Sequence, residues 1–184
     1  MKDLSLLLRN SNYIFMIITF NMLYGVYTCL GAIINNLVDP FGYSPLETSI
    51  FGATFIFCGL IGSVVASLLL DKTQRYLRIL RICSFGSLLF CIIVLWTLPS
   101  ESTVVLTINI GCLGFCLIPI IPIGYSFSVE LTYPVSESMS NGVMVFFSQI
   151  IGTFITVLAT SIAGYHPERQ YCTYLFVAMM SIAC

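Results

Sequence analysis

The sequence predicts an all-helical protein that crosses a membrane several times. Hydrophobic residues make up 58% of the 184 residues, charged residues make up 8%, and mean hydropathy is +1.00. Soluble domains carry about 25% charged residues, so these few charges cannot cover a water-exposed surface. The apolar runs also have the length of about 20 residues that a helix needs to cross a bilayer.

Charged and turn-forming residues divide the chain into a cytoplasmic lead-in, 1–12, and six predicted spans. The first five are expected at about 13–36, 47–70, 79–98, 103–128 and 137–163. The sixth begins near residue 171 and reaches only 184. This run is too short to cross a bilayer, so we expect a chain that is cut within its last helix.

The basic residues predict the orientation of the spans. Arg169 stands alone in the loop before the sixth predicted span, whereas the other six basic residues lie in the N-terminal segment or follow the second span. These six are Lys2, Arg9, Lys72, Arg75, Arg78 and Arg81. Because cytoplasmic loops are enriched in Lys and Arg, their side of the membrane is predicted to be cytoplasmic.

Small residues along the second span predict close helix packing. Gly59, Ser63 and Ser67 recur at every fourth position, with Gly62 and Ala66 nearby. Small side chains at this spacing allow two helices to approach closely in lipid. We interpret them first as a packing surface.

The stretch from Gly111 to Gly152 is predicted to hold two spans around a short turn. Pro119 and Pro122 predict a bend in the fourth span, because proline removes a backbone hydrogen bond. The fifth span carries a polar stripe: Asn141, Ser148, Gln149, Gly152, Thr153, Thr156 and Thr160. An amide such as Gln149 needs a partner in hydrocarbon. It is therefore expected either to line a solute pathway or to form an interhelical hydrogen bond.

The first span carries a matching stripe of aromatic and polar residues. Its members are Phe20, Tyr24, Tyr27, Thr28, Gly31 and Asn35. Aromatic rings and amides can hold a small cation through cation–π contacts and hydrogen bonds. The candidate substrate-binding residues are therefore Gln149, Tyr24, Tyr27 and Asn35. For the tyrosines, the alternative is anchoring at the membrane interface.

A second candidate set lies at the cytoplasmic ends of the spans. Asp71 is predicted at a helix C-terminus, where the helix dipole disfavours an acid unless a basic partner is close. Arg75 is one such partner, and Glu130, at the inner end of the fourth span, is a second acid for Arg75. We predict that Asp71, Arg75 and Glu130 form a gating latch. The alternative is that these charges only anchor the cytoplasmic face.

Several motifs resemble the feline leukaemia virus subgroup C receptor-related family of major facilitator transporters. The most specific is Glu130-Leu131-Thr132-Tyr133-Pro134, followed by Ser140-Asn141-Gly142. The stretches 70–76 (LDKTQRY) and 148–152 (SQIIG) are similar to further family motifs. The first of these also resembles the superfamily's loop signature.

The resemblance implies a fold and a substrate class. The chain would be the C-terminal six-helix half of a major facilitator fold, with its last helix incomplete and an N-terminal half as its partner. The family is associated with choline and ethanolamine, and haem export has also been attributed to it. Its eleventh-helix glutamine, implicated in substrate binding, corresponds to Gln149.

The predicted function is transport of a small solute by alternating access, most simply a choline- or ethanolamine-like cation. Haem export is one alternative. The other is a truncated chain that acts as a receptor or scaffold without transporting. Nothing in the sequence predicts an enzyme, a metal site, a cofactor or a nucleic-acid surface, and the eight cysteines contain no Cys-x-x-Cys pair. The expected partners are the solute and the lipid bilayer, with the plasma membrane as the default location.

Overall fold

A computed structural model describes residues 6–7, 9–38, 41–98 and 102–165, apart from the side chains at 35–36 and 162–165. Over this part of the chain every regular element is a helix, which confirms the all-helical prediction. The helices are α1 (Ser11–Val38), α2 (Pro45–Thr73), α3 (Tyr76–Thr97), α4 (Thr103–Leu117), α5 (Ile120–Leu131) and α6 (Glu137–Tyr165). The predicted sixth span lies outside the described residues.

Within the described residues, five helical segments are long and apolar enough to cross a membrane. Helices α4 and α5 together form one of them, Thr103–Leu131. Large apolar side chains cover the outside of the bundle, among them Phe57, Leu60 and Val64 on α2, which are 67%, 58% and 61% exposed. This outward apolar surface suits hydrocarbon and not water, so the chain is an integral, multi-pass membrane protein.

Local sequence signals fix the starts of α1 and α2. The Asn10 side-chain oxygen accepts hydrogen bonds from the backbone N–H groups of Asn12 and Tyr13, so α1 begins at Ser11, inside the predicted lead-in. Ser44 and Glu47 form a capping box at the start of α2. Both caps satisfy N–H groups that the first helical turn would otherwise leave without partners.

The predicted bend in the fourth span is present as a break between α4 and α5. Helix α4 ends at Leu117, and α5 begins at Ile120, directly after Pro119. Proline has no backbone N–H to donate, so the helical ladder is interrupted here. One turn later the chain is helical again, and the two short helices cross as one span.

Helices α2 and α4 pack through glycine. A methyl group on Gly62 would overlap the Phe115 carbonyl oxygen, and one on Gly114 would overlap the Phe55 carbonyl oxygen. The two backbones are therefore in direct contact, as small residues permit in a membrane. The packing row is Gly59, Gly62 and Ala66, all buried, whereas Ser67 is exposed.

Helices α1 and α6 form a second closely packed pair. The middle of α1 is buried, with Val26 and Cys29 fully covered. Ser148 and Gly152 of α6 are buried towards α1, while Phe146 and Phe154 on the opposite side of α6 are 62% and 70% exposed. The two predicted stripes therefore lie beside each other.

A candidate solute pathway along α1 and α6

A row of aromatic rings runs along α1. The centroids of Phe20 and Tyr24 are 6.0 Å apart, and those of Tyr24 and Tyr27 are also 6.0 Å apart. The row continues onto neighbouring helices, since Phe20 lies 5.5 Å from Tyr125 and Tyr27 lies 6.2 Å from Phe55. These distances fall within the range of favourable aromatic pairs, so the rings support one another in fixed positions.

Gln149 contacts this row at Tyr24. Its amide nitrogen donates a hydrogen bond to the Tyr24 hydroxyl at 3.2 Å. Gln149 is exposed and Tyr24 is half-buried, so the pair lies at the surface of the described helices. Two of the four candidate substrate-binding residues, predicted on different helices, are therefore in direct contact.

The polar stripe of α6 divides into two parts. Ser148 and Gly152 lie against α1, whereas Gln149, Thr153 and Thr160 are exposed. A Cβ on Gly152 would lie 3.0 Å from the Thr28 hydroxyl oxygen, so the absence of a side chain there allows α1 to approach. The exposed part forms a polar strip beside the aromatic row.

The other two candidates lie apart from this contact. Tyr27 lines an apolar cavity of about 300 Å³ together with Thr28, Gly31 and Phe55. Asn35 lies on α1 eleven residues beyond Tyr24, which is about 16 Å along a helix. Its side chain is outside the described part of the chain. The structure thus brings Tyr24 and Gln149 together, with Tyr27 as the next ring in the row.

Asn21 is a buried polar residue that the sequence analysis did not include among its candidates. The Ser148 hydroxyl donates to the Asn21 amide oxygen at 2.5 Å, and Asn21 is 1% exposed. Its amide nitrogen has no hydrogen-bond partner among the described residues. The signal was present in the sequence as an amide inside an apolar span, where such a group requires a partner.

Polar side chains also join α1, α5 and α6 at the end of the bundle that holds the 130–134 turn. The Tyr13 hydroxyl donates to the Ser140 carbonyl oxygen at 2.6 Å. The Ser128 hydroxyl donates to the Asn141 side-chain oxygen at 2.7 Å, and the Thr132 hydroxyl donates to the Ser140 hydroxyl at 3.0 Å. The turn at 130–134 therefore stands on a buried hydrogen-bonded network that fixes the three helices relative to one another.

The three candidate gating residues are all exposed at this end. Arg75 and Glu130 line the same groove of about 780 Å³ between α3 and α5. Asp71 lies in the last turn of α2, outside the lining of that groove. The geometry thus brings one of the predicted acids and the arginine to a common surface.

Metal-binding groups are sparse in the described part of the chain. No cluster of three or more His, Cys, Asp or Glu side chains occurs within it. Cys58, Cys83, Cys91, Cys112 and Cys116 are free thiols.

Comparison with known proteins finds relatives that are named as transporters or solute carriers. The chain is 26% identical over 183 residues to a choline/ethanolamine transporter, flvcr2b, of Danio rerio, covering 97% of this chain and 38% of that protein. It is 28% identical over 188 residues to the choline/ethanolamine transporter FLVCR1 of Felis catus, covering 99% of this chain and 33% of that protein.

A third relative is the solute carrier family 49 member A3 of Xenopus tropicalis, 30% identical over 156 residues, with 83% of this chain and 32% of that protein covered. No family model matches the chain. The resemblance predicted from the motifs is confirmed by these relatives. The chain spans about a third of the length of the relatives it matches.

Proposed function

From this similarity and the α1–α6 geometry, we propose that the chain forms part of a transporter for a small organic cation of the choline or ethanolamine type. The observation that carries the proposal is the hydrogen bond from Gln149 to Tyr24. It joins an amide and an aromatic ring, at the middle of two membrane spans, on a face that stays open.

The chemistry of this face suits a quaternary or primary ammonium group. The faces of aromatic rings attract a cation within about 6 Å of the ring centre. The half-buried Tyr24 and Tyr27 are two such rings, and the buried Phe20 ring packs beside Tyr24. The free amide oxygen of Gln149 can accept a hydrogen bond from the hydroxyl or ammonium group of the solute. A cation held this way leaves no uncompensated protein charge behind when it departs, which favours release as well as binding.

The exposed polar strip of α6 supports the proposal that a second group of helices covers it. Gln149, Thr153 and Thr160 are exposed at the level of the membrane, where polar side chains face a cavity or another helix. Transporters often place the substrate between two helical halves, and the relatives are about three times as long as this chain. An N-terminal six-helix half is proposed to cover the strip and complete the site.

Gating by Asp71, Arg75 and Glu130 is part of the same proposal. Arg75 and Glu130 face one groove at the cytoplasmic side. Their ion pair would form and break as the halves rock, with Asp71 paired to a basic group in one of the two states. Exposed pairs contribute at most about 1 kcal/mol, a suitable size for a contact that must open in every cycle.

The central test is uptake of radiolabelled choline by cells that express the complete gene product. Gln149→Ala is expected to raise the choline concentration needed for half-maximal uptake about fivefold, because one hydrogen bond contributes about 1 kcal/mol. Ile150→Ala, on the lipid-facing side of the same turn, serves as the matched control. Equal uptake by the two variants at equal surface expression would remove Gln149 from the site.

The gate is tested by exchanging its charges. Arg75→Glu and Glu130→Arg are each expected to slow uptake, and the double exchange is expected to restore it. Lys72→Glu, a nearby exposed cation outside the groove, controls for the change in charge at the cytoplasmic surface. A double variant no faster than the slower single variant would count against direct pairing of the two side chains.

A further inference from the structure

The cytoplasmic end of α3 carries more positive charge than the proposed gate uses. Arg75, Arg78 and Arg81 recur at every third residue, and all three are exposed. They line the groove of about 780 Å³ that also holds Glu130. Three arginines and one glutamate give this groove a net charge of +2 (3 − 1), so it favours an anion.

The walls of the groove are apolar below the arginines. The Tyr76 and Phe127 rings stack with their centroids 5.9 Å apart and close the side between α3 and α5. Ile82 and Phe85 complete the lining on the membrane side. The groove is thus basic at its cytoplasmic end and apolar towards the bilayer.

The apolar surface continues along α3 beyond the groove. Ile82, Phe85, Leu89, Ile92 and Trp96 are all exposed. Their spacing of three or four residues places them on one side of the helix, below Arg78 and Arg81. From Arg81 to Trp96 this side extends about 22 Å along the helix, longer than the roughly 15 Å of one leaflet's hydrocarbon.

We propose that this surface binds one anionic phospholipid of the cytoplasmic leaflet. Arg78 and Arg81 hold its phosphate, and one acyl chain lies along Ile82, Phe85 and Leu89. The basic groove alone would suit any phosphate, but the apolar stripe directly beneath it requires a ligand with a long hydrocarbon tail. The net positive charge favours a headgroup such as phosphatidylserine over a zwitterionic choline headgroup.

The start of α3 adds to this preference. Its first turn contains no acidic residue, and the residue before it, Arg75, makes no side-chain capping hydrogen bond. The positive end of the helix dipole therefore points at the same region as the arginines.

The test measures how much phosphatidylserine the complete gene product retains when it is extracted from nanodiscs of mixed phosphatidylserine and phosphatidylcholine. Bound lipid is counted by native mass spectrometry. Arg78→Gln with Arg81→Gln is expected to lower the affinity roughly 30-fold, since two basic contacts to the headgroup are lost. The matched control is Arg9→Gln with Lys72→Gln, which removes two other exposed cytoplasmic charges. Arg78→Lys with Arg81→Lys should retain the lipid.

A second pair of variants tests the acyl chain. Phe85→Gln is expected to lower retention. Phe57→Gln on α2, where the phenylalanine is at least as exposed, is not. Equal losses in the two charge doubles would show diffuse surface attraction and overturn the proposal. Equal phosphatidylserine retention by the two Phe variants would also overturn it. So would displacement of the lipid by inorganic phosphate, because the acyl chain would then contribute nothing to binding.

Discussion

The α2–α4 and α1–α6 contacts join their helices by different chemistry. In the first, Gly62 and Gly114 each meet a backbone carbonyl oxygen of the other helix, with no room for a methyl group. In the second, hydrogen bonds from side chains link the helices, among them Ser148 to Asn21 and Gln149 to Tyr24. One contact depends on the shape of the backbone, and the other depends on polar groups that can change partners.

This difference assigns different tasks to the two pairs. A contact between backbones has one favourable arrangement, because any separation loses the close packing at once. A hydrogen-bonding side chain can exchange its partner for a solute or another helix at little net cost. We therefore expect the α2–α4 pair to act as the rigid support, and the α1–α6 pair to carry the groups that are proposed to meet the solute.

The largest expected effect comes from adding a methyl group to the rigid pair. Gly62→Ala would overlap the Phe115 carbonyl oxygen, which cannot move without shifting α4. Overpacking of this kind typically costs 1–3 kcal/mol, so we expect a loss of about that size. The melting temperature of the purified gene product in detergent measures it.

Gly52→Ala is the matched control on the same helix. Its added methyl group meets nothing within 4 Å, and alanine favours a helix by about 1 kcal/mol over glycine. Its melting temperature should stay the same or rise. Equal losses at both positions would mean that α2 and α4 are not in backbone contact.

The next effect in size concerns the buried polar link of the other pair. Ser148→Ala leaves the Asn21 amide without its partner, and an unpaired buried polar group costs about 1–3 kcal/mol. Asn21→Leu combined with Ser148→Ala removes both polar groups, so the double variant should recover much of the stability. Thermal melting of Ser148→Ala, Asn21→Leu and the double variant decides this, and strictly additive losses would contradict the pairing.

Helical periodicity predicted the stripes but not every contact along them. In α2, spacing by four selected Gly59, Ser63 and Ser67, whereas the buried row is Gly59, Gly62 and Ala66. A step of four residues turns about 40° past a full circle, so Ser67 has rotated off the packing face. Alternating steps of three and four stay on that face.

The site was only partly predictable for a related reason. Periodicity placed Tyr24 and Gln149 on the polar sides of their helices, but only the fold shows that these sides meet. Asn21 was missed because its partner, Ser148, is 127 residues away in sequence. The roles of Gln149, Tyr24, Tyr27 and Asn35 in binding, and those of Asp71, Arg75 and Glu130 in gating, remain predictions.

A smaller effect is expected from removing the Tyr24 hydroxyl group, which accepts the hydrogen bond from Gln149. Tyr24→Phe keeps the ring and deletes the acceptor for Gln149. Hydrogen bonds between membrane helices average about 0.6 kcal/mol, so choline affinity should fall about threefold with little change in melting temperature. Tyr27→Phe, in the next ring of the row, is the matched control, and an equal loss there would show that Tyr24 has no special position.

The smallest effect comes from adding a methyl group to the α1–α6 pair. In Gly152→Ala the new Cβ lies 3.0 Å from the Thr28 hydroxyl oxygen and 3.7 Å from a Tyr24 ring carbon. Because a side chain can yield where a carbonyl cannot, the melting temperature should hardly change, unlike that of Gly62→Ala. Uptake should fall only about twofold, which corresponds to about 0.4 kcal/mol.

The double variant Gly152→Ala with Thr28→Ala sharpens this contrast. Removing the Thr28 hydroxyl group opens the space that the new methyl group needs, so uptake should return towards the level of Thr28→Ala alone. Gly142→Ala, which meets nothing within 4 Å on the same helix, should match the wild type. If Gly152→Ala instead lowered the melting temperature as much as Gly62→Ala, the α1–α6 contact would be as rigid as the α2–α4 contact. The solute would then have to be bound without rearrangement of this pair.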